Sequence, residues 1–186
     1  LDQVLTVEEY AFANSGIKEV TIGSNATYGE GAFYQSSVVK VTIGKNSIFG
    51  LGAFQNCQYL TTVVMPEEGN VHFGVACFAN DSKLAEIDLS KIDNVIEKET
   101  FYGCSSLTEA PNIPKKVENM QSTFAMSGIT EAPQIPEGVK NMRDTFLKCS
   151  NLTKASKIPN SVTFINQVYS ECPKLQGIIE IDANVN

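Results

Sequence analysis

A segment of about two dozen residues recurs along the chain, and its spacing limits the possible folds more than any other feature. The first two copies read AFANSGIKEVTIG at residues 11–23 and AFYQSSVVKVTIG at residues 32–44. Aligning the chain on the aromatic residue of this segment gives eight units with centres at Phe12, Phe33, Phe54, Phe78, Phe101, Phe124, Phe146 and Tyr169. Such a period predicts a solenoid, in which each unit is one coil that buries its apolar side against the neighbouring coils.

Apolar residues at fixed offsets from the aromatic residue predict a strand in each coil. In the first unit they are Ile17, Val20 and Ile22. The spacing of two between the last pair is that of a β-strand whose alternate side chains point inward. The L-x-x-L-x-L pattern is typical of leucine-rich repeats. We therefore predict a leucine-rich repeat solenoid, mostly β with short helical turns, with about eight stacked right-handed coils of 21–24 residues and one curved parallel sheet.

The repeats cover nearly the whole chain, so we expect a single leucine-rich repeat domain over residues 1–186 that is part of a longer protein. The later units differ from the early ones in being rich in proline, and the residues concerned are Pro111, Pro114, Pro133, Pro136 and Pro159. Because proline removes a backbone donor, strands there should be shorter and less regular. We interpret this as a change of coil shape and not as a domain boundary.

Motifs within the units resemble those of one family. With GCSSLTE at residues 103–109 and KCSNLTK at residues 148–154, the chain resembles the BspA-like leucine-rich repeat family over almost its whole length. Members are typically secreted or surface-attached proteins of anaerobic bacteria and some parasitic protists, associated with adhesion. The resemblance implies a secreted or cell-surface location. It also implies a partner that is an extracellular protein or glycan, on host matrix or on another cell.

Charge and hydropathy exclude two other classes of partner. The formal net charge of −7 argues against nucleic acid, because neutralising phosphates needs a basic surface. No stretch approaches the roughly 18 consecutive apolar residues of a membrane span, so we expect no membrane insertion. The pattern makes no prediction of oligomeric state.

The cysteines and the single histidine give little support to catalysis or metal binding. Four of the five cysteines lie three residues after the aromatic residue, namely Cys57, Cys104, Cys149 and Cys172. They predict either a ladder of small buried side chains or a disulfide or metal framework; the odd count and the lack of C-x-x-C favour the ladder. Cys149 and Cys172, in adjacent coils, are the pair with plausible disulfide geometry. A lone His72 removes most Ser-His and Cys-His catalysis. We predict no catalytic residue, no cofactor and no metal site.

The outward strand positions form the candidate binding face. Its residues are Glu19, Thr21, Lys40, Thr42, Thr62, Glu86, Asp88, Glu109, Glu131 and Lys154. Four of them, Glu86, Asp88, Glu109 and Glu131, would form an acidic stripe over three coils. The stripe is compatible with a site for a basic partner, with a weak calcium site, or with a solvated face whose charges prevent pairing with other chains.

Two functions fit these observations. The first is a non-enzymatic binding or adhesion module that contacts a protein or glycan through its solenoid face. The second is a structural spacer that displays another domain outside this sequence.

Overall fold

The computed structural model describes residues 5–90 and 95–182, which form a parallel β-solenoid of short strands. The strands are β1 (Thr6–Val7), β2 (Glu19–Thr21), β3 (Thr27–Tyr28), β4 (Lys40–Thr42), β5 (Ile48–Phe49), β6 (Thr62–Val64), β7 (His72–Phe73) and β8 (Val95–Ile96). Neighbouring strands come from successive coils, so that Val20 pairs with Val41 and Val41 with Val63. The predicted leucine-rich repeat solenoid is confirmed.

The prediction of one curved sheet is wrong, because the strands form two parallel sheets. The first has five strands in the order β1-β3-β5-β7-β8, and the second has three in the order β2-β4-β6. The second sheet is the one that the L-x-x-L-x-L pattern predicts. The first sheet arises because the apolar residues Tyr28, Phe49, Phe73 and Ile96, which precede the next aromatic residue, are themselves in strands.

The predicted number of coils also differs from the structure. Only about three turns carry strands in both sheets. After β8 the described chain contains only isolated parallel bridges, such as the one between Asn119 and Asn141. Proline in the later units removes the donors that a continuous ladder would need. The count of eight therefore applies to aromatic residues and not to regular coils.

The predicted short helical turns are absent from residues 5–90 and 95–182, where no helix occurs. Each aromatic residue lies at the middle of a turn whose positions two before and two after it have positive φ, as at Tyr10 and Asn14. An L-residue in this left-handed region cannot continue a right-handed helix. The turns instead bind to one another: the backbone N–H of Phe33 donates to the carbonyl of Ala53 at 2.7 Å, and equivalent bonds join the turns from Tyr10 to Ser170.

The aromatic rings form a continuous column through the core. Successive rings from Phe12 to Tyr169 are stacked, with centroids 5.0 to 6.0 Å apart. A second, shorter column of Tyr28, Phe49 and Phe73 packs beside it. Burying one such side chain contributes about 1.5–3 kcal/mol. Since single coils have no core of their own, this contact between coils holds the solenoid together.

All five cysteines are free and buried. The thiols of four of them donate to the carbonyl of the aromatic residue in the preceding coil: Cys57 to Phe33 at 3.1 Å, Cys104 to Phe78 at 3.2 Å, Cys149 to Phe124 at 3.0 Å and Cys172 to Phe146 at 3.0 Å. These cysteines are therefore a ladder of small buried donors, and Cys149 and Cys172 are not bonded to each other.

Candidate functional site

The candidate binding face predicted from the sequence lies on the solvent side of the β2-β4-β6 sheet and of the later coils that follow β6. Nine of its ten residues are exposed and Thr42 is half-buried. In the sheet, Glu19 is the register partner of Lys40, and Lys40 is that of Thr62. Thr21 likewise pairs with Thr42. The first five residues of the face therefore lie side by side, because outward positions of parallel strands in register fall into rows.

Three of the carboxylates line an open groove beside this sheet. The groove has a volume of about 380 Å³, and Thr62, Glu86, Asp88 and Glu109 contribute to its walls. It lies next to β6, the last strand of its sheet. The Asp88 carboxylate accepts hydrogen bonds from the backbone N–H of Ser90 at 2.8 Å and from its hydroxyl at 2.5 Å. The structure thus brings Glu86, Asp88 and Glu109 together where the regular sheet ends.

Glu131 and Lys154 lie apart from this groove. Their backbones form an isolated parallel bridge, and Lys154 Nζ is 3.2 Å from Glu131 Oε2. Both side chains are exposed, so this ion pair contributes little to stability. The charge of Glu131 is locally balanced, and the groove rather than a four-residue stripe is the acidic feature of this face.

Metal ligands do not converge in the described part of the chain. Residues 5–90 and 95–182 contain no group of three or more His, Cys, Asp or Glu side chains that could hold a metal ion. His72 is half-exposed on β7, with its Nε2 3.6 Å from Glu97 Oε1. Burial raises the pKa of the Cys57 thiol to about 12, so this cysteine is protonated and unreactive at neutral pH.

Asp81 is the one acidic side chain in the buried ladder of serine and cysteine. Its Oδ1 accepts a hydrogen bond from the backbone N–H of Cys57 at 2.7 Å. Its Oδ2 is buried and has no hydrogen-bond partner. Burial raises the pKa of the Asp81 carboxyl group well above its usual value. The group has no access to solvent, so we assign it no role in ligand binding.

A second polar surface, which the sequence pattern did not reveal, surrounds Tyr59. The Tyr59 side chain is 51% exposed, and the Nζ atoms of Lys18 and Lys83 lie 5.2 and 5.1 Å from its ring centroid. Beside it is a groove of about 310 Å³, lined by Asn14, Gln35, Ser36, Asn56, Gln58 and Tyr59. Asn14, Gln35 and Asn56 share one position of the repeat, two residues after the aromatic residue, but no motif places Tyr59 and the two lysines beside them. We call this surface the corner groove.

Stacked coils, two parallel sheets and a ring column define a leucine-rich repeat solenoid, a class that typically serves as a non-enzymatic scaffold for protein interactions. The family model described as BspA type leucine rich repeat region matches residues 1–108 and 71–186, with six copies. The chain belongs to this family, whose members are generally associated with cell surfaces and adhesion.

No curated protein and no solved structure matches the chain significantly. Within residues 5–90 and 95–182, no helix has the length and apolar character needed to cross a membrane.

Proposed function

We propose that this chain is a non-enzymatic binding module of a secreted or cell-surface protein. It adheres to an extracellular protein or glycan through the ten-residue candidate binding face, which we call the strand face. The acidic groove beside β6 is the observation that supports this most. It is a concave surface of about 380 Å³ at the end of a sheet, and it carries Glu86, Asp88 and Glu109. Concave sites with a few convergent polar groups are the usual form of a binding site.

The charge of the groove favours a basic segment of a protein as its occupant. Glu86 and Glu109 are exposed, and the whole chain has a formal net charge of −7. Complementary charge increases the association rate and selects against acidic partners. The groove lies between β6, the last strand of its sheet, and the following coils, so a bound segment would contact Thr62 together with Glu86 and Glu109.

A binding screen with charge-neutral variants tests the proposal. The intact chain is screened against extracellular-matrix proteins and cell-surface glycans, and each binder is then measured with the Glu86→Gln, Glu109→Gln, Glu131→Gln triple variant. We expect binding to a basic partner to weaken at least about tenfold, equivalent to about 1.4 kcal/mol. The wild-type interaction should also weaken as salt is increased.

A matched control removes the same number of exposed carboxylates elsewhere. The Glu9→Gln, Glu118→Gln, Glu137→Gln triple variant leaves the groove intact, so it should bind as the wild type does. Equal losses of affinity in both triple variants would show that the effect comes from net charge alone. No binder in the screen, or a binder unaffected by the first triple variant, would contradict a role for this face.

A further inference from the structure

The corner groove presents a row of side-chain amides. Asn14, Gln35 and Asn56 each lie two residues after the ring of their coil, and all three have positive φ, between 54 and 62°. Backbone hydrogen bonds fix the spacing of the row: Asn14 N–H donates to Tyr34 at 2.7 Å and Gln35 N–H to Gln55 at 3.0 Å. None of these three side-chain amides has a hydrogen-bond partner within the described residues. Their donors and acceptors therefore face solvent in a fixed row.

Gln58 and Tyr59 form the wall next to this row. Gln58 is held in place because its Nε2 donates to the carbonyl of Asn80 at 2.7 Å and its Oε1 accepts from the Ser82 hydroxyl at 2.9 Å. Tyr59 stands half-exposed at the end of the groove. An exposed aromatic side chain offers an apolar surface together with a hydroxyl group.

Two lysine side chains lie beside the same Tyr59 ring. The ammonium groups of Lys18 and Lys83 are each about 5 Å from the Tyr59 ring, and hence no more than about 10 Å from each other. Neither ammonium lies within 4 Å of a carboxylate in residues 5–90 and 95–182. In a chain of formal net charge −7, this is a local concentration of unbalanced positive charge.

We propose that the corner groove binds an acidic saccharide, with a sugar carboxylate near Lys18 and Lys83 and sugar hydroxyls on the amide row. Amide side chains both donate and accept hydrogen bonds, as sugar hydroxyls do. The exposed Tyr59 side chain adds a hydroxyl group that can donate to or accept from the sugar. The volume of about 310 Å³ lies at the lower end of the range of small-ligand sites, roughly 300–1,000 Å³. The site is separate from the acidic groove, since the two share no lining residue.

Other anionic ligands fit this surface less well. Nucleic acid needs a longer basic surface than two lysines provide. An acidic peptide is bound chiefly through backbone pairing at a strand edge or through apolar pockets. The corner groove offers neither, because among the described residues that line it Tyr59 is the only aromatic or aliphatic one.

An NMR titration of the ¹⁵N-labelled chain tests the proposal. The probes are 3′-sialyllactose and a hyaluronan tetrasaccharide, with lactose as the neutral comparison. We expect both acidic probes to shift the side-chain NH₂ resonances of Asn14, Gln35 and Asn56, and lactose to bind at least about tenfold more weakly. The Lys18→Gln, Lys83→Gln double variant should bind the acidic probes about tenfold more weakly, the change that corresponds to about 1.4 kcal/mol. Tyr59→Ala should also weaken binding.

Charge-matched controls separate this proposal from the function of the strand face. The Lys115→Gln, Lys140→Gln double variant loses two exposed lysines elsewhere and should bind as the wild type does. The triple variant at Glu86, Glu109 and Glu131 should titrate unchanged, so failure at one site leaves the other open to test. The proposal is overturned if neither acidic probe shifts the amide row or if the Lys18 and Lys83 variant binds normally. A hexaglutamate peptide that shifts the same resonances as strongly would also overturn it.

Discussion

Asp81 occupies a position that serine or cysteine fills in the other seven units, three residues after the aromatic residue. Where Cys57 or Cys104 donates a thiol hydrogen bond to a carbonyl, Asp81 accepts one from the Cys57 N–H. Its other oxygen is left without a partner in the core. An ionised carboxylate there would lack both solvent and a counter-ion, so the protonated form is favoured.

The buried Asp81 should make the stability of the protein fall as pH rises. The carboxyl group has a pKa of about 3.9 in the unfolded chain, whereas burial raises the pKa of Asp81 in the folded protein. Between those two pKa values the folded state holds a proton that the unfolded state has lost, so the free energy of unfolding decreases with increasing pH. Below the pKa of the unfolded carboxyl group both states hold the proton, so Asp81 no longer makes the free energy of unfolding depend on pH. Urea unfolding from pH 4 to pH 8 measures the effect.

An Asp81→Asn variant isolates this contribution. It has no titrating group at this position, so its stability relative to the wild type should increase as the pH rises above the unfolded pKa and level off above the folded pKa. Parallel curves for the wild type and Asp81→Asn would show that Asp81 is not held in its protonated form.

At the scale of the element, the turn that follows each strand of the β2-β4-β6 sheet is packed against its neighbour. Gly23 and Gly44 occupy the same place in successive coils, directly after Ile22 and Ile43. A Cβ atom at Gly44 would lie 2.5 Å from the carbonyl carbon of Gly23 and 2.5 Å from the carbonyl oxygen of Ile22. A Cβ atom at Gly23 would have no atom within 4 Å. The same motif therefore has room for a side chain at Gly23 but not at Gly44.

Alanine at these two glycines should have opposite effects on stability. Gly44→Ala should destabilise the protein by about 1–3 kcal/mol, because the backbone of the preceding coil has to move. Gly23→Ala should be neutral or stabilise it by up to about 1 kcal/mol, because it restricts the unfolded chain. Chemical denaturation of the two variants measures both values. Equal destabilisation would contradict the close contact between these coils.

The elements differ in how far the sequence predicts them. The strands β2, β4 and β6 follow from alternating residues such as Val41 and Ile43. The strands β3, β5 and β7 are two residues long, which is too short to show alternation, so the sequence does not predict the five-stranded sheet that contains them. The turns gave no helix-breaking signal, since their left-handed positions carry residues as varied as Tyr10, Gln35 and Glu99 instead of a repeated glycine.

At the scale of the whole molecule, the free thiols report on the integrity of the stack. All five are buried, and for Cys57 and Cys149 burial raises the pKa to about 12 and about 11. Ellman's reagent should therefore label almost no thiol in the native protein and all five in guanidinium chloride. Because Cys57, Cys77, Cys104 and Cys149 lie inside the stack, the labelling of these four cysteines should track unfolding, whereas Cys172 lies in the last unit. Rapid labelling of one cysteine in the native state would identify a coil that opens separately.

The two surfaces were accessible to sequence reasoning to different degrees. Residues of the strand face, such as Lys40 and Glu86, could be named because outward positions follow from the strand period. The acidic groove could not, since its shape depends on where the β2-β4-β6 sheet ends. The corner groove could not be named, because Lys18, Tyr59 and Lys83 come from the first, third and fourth units and meet only after four coils have stacked.

The hydrogen bonds between the aromatic turns all run the same way, from the N–H groups of one turn to the carbonyl groups of the turn that follows it in sequence. The two left-handed positions of a turn are always four residues apart, from Tyr10 and Asn14 to Gln167 and Glu171, although the units differ in length by up to three residues. If an entire unit were gained by gene duplication or lost by deletion, every N–H donor of a turn would still meet a carbonyl acceptor in the turn that follows it. Small insertions can survive only outside the turn, so a lineage of such proteins should vary in its number of units and in its loops while this five-residue stretch keeps its length.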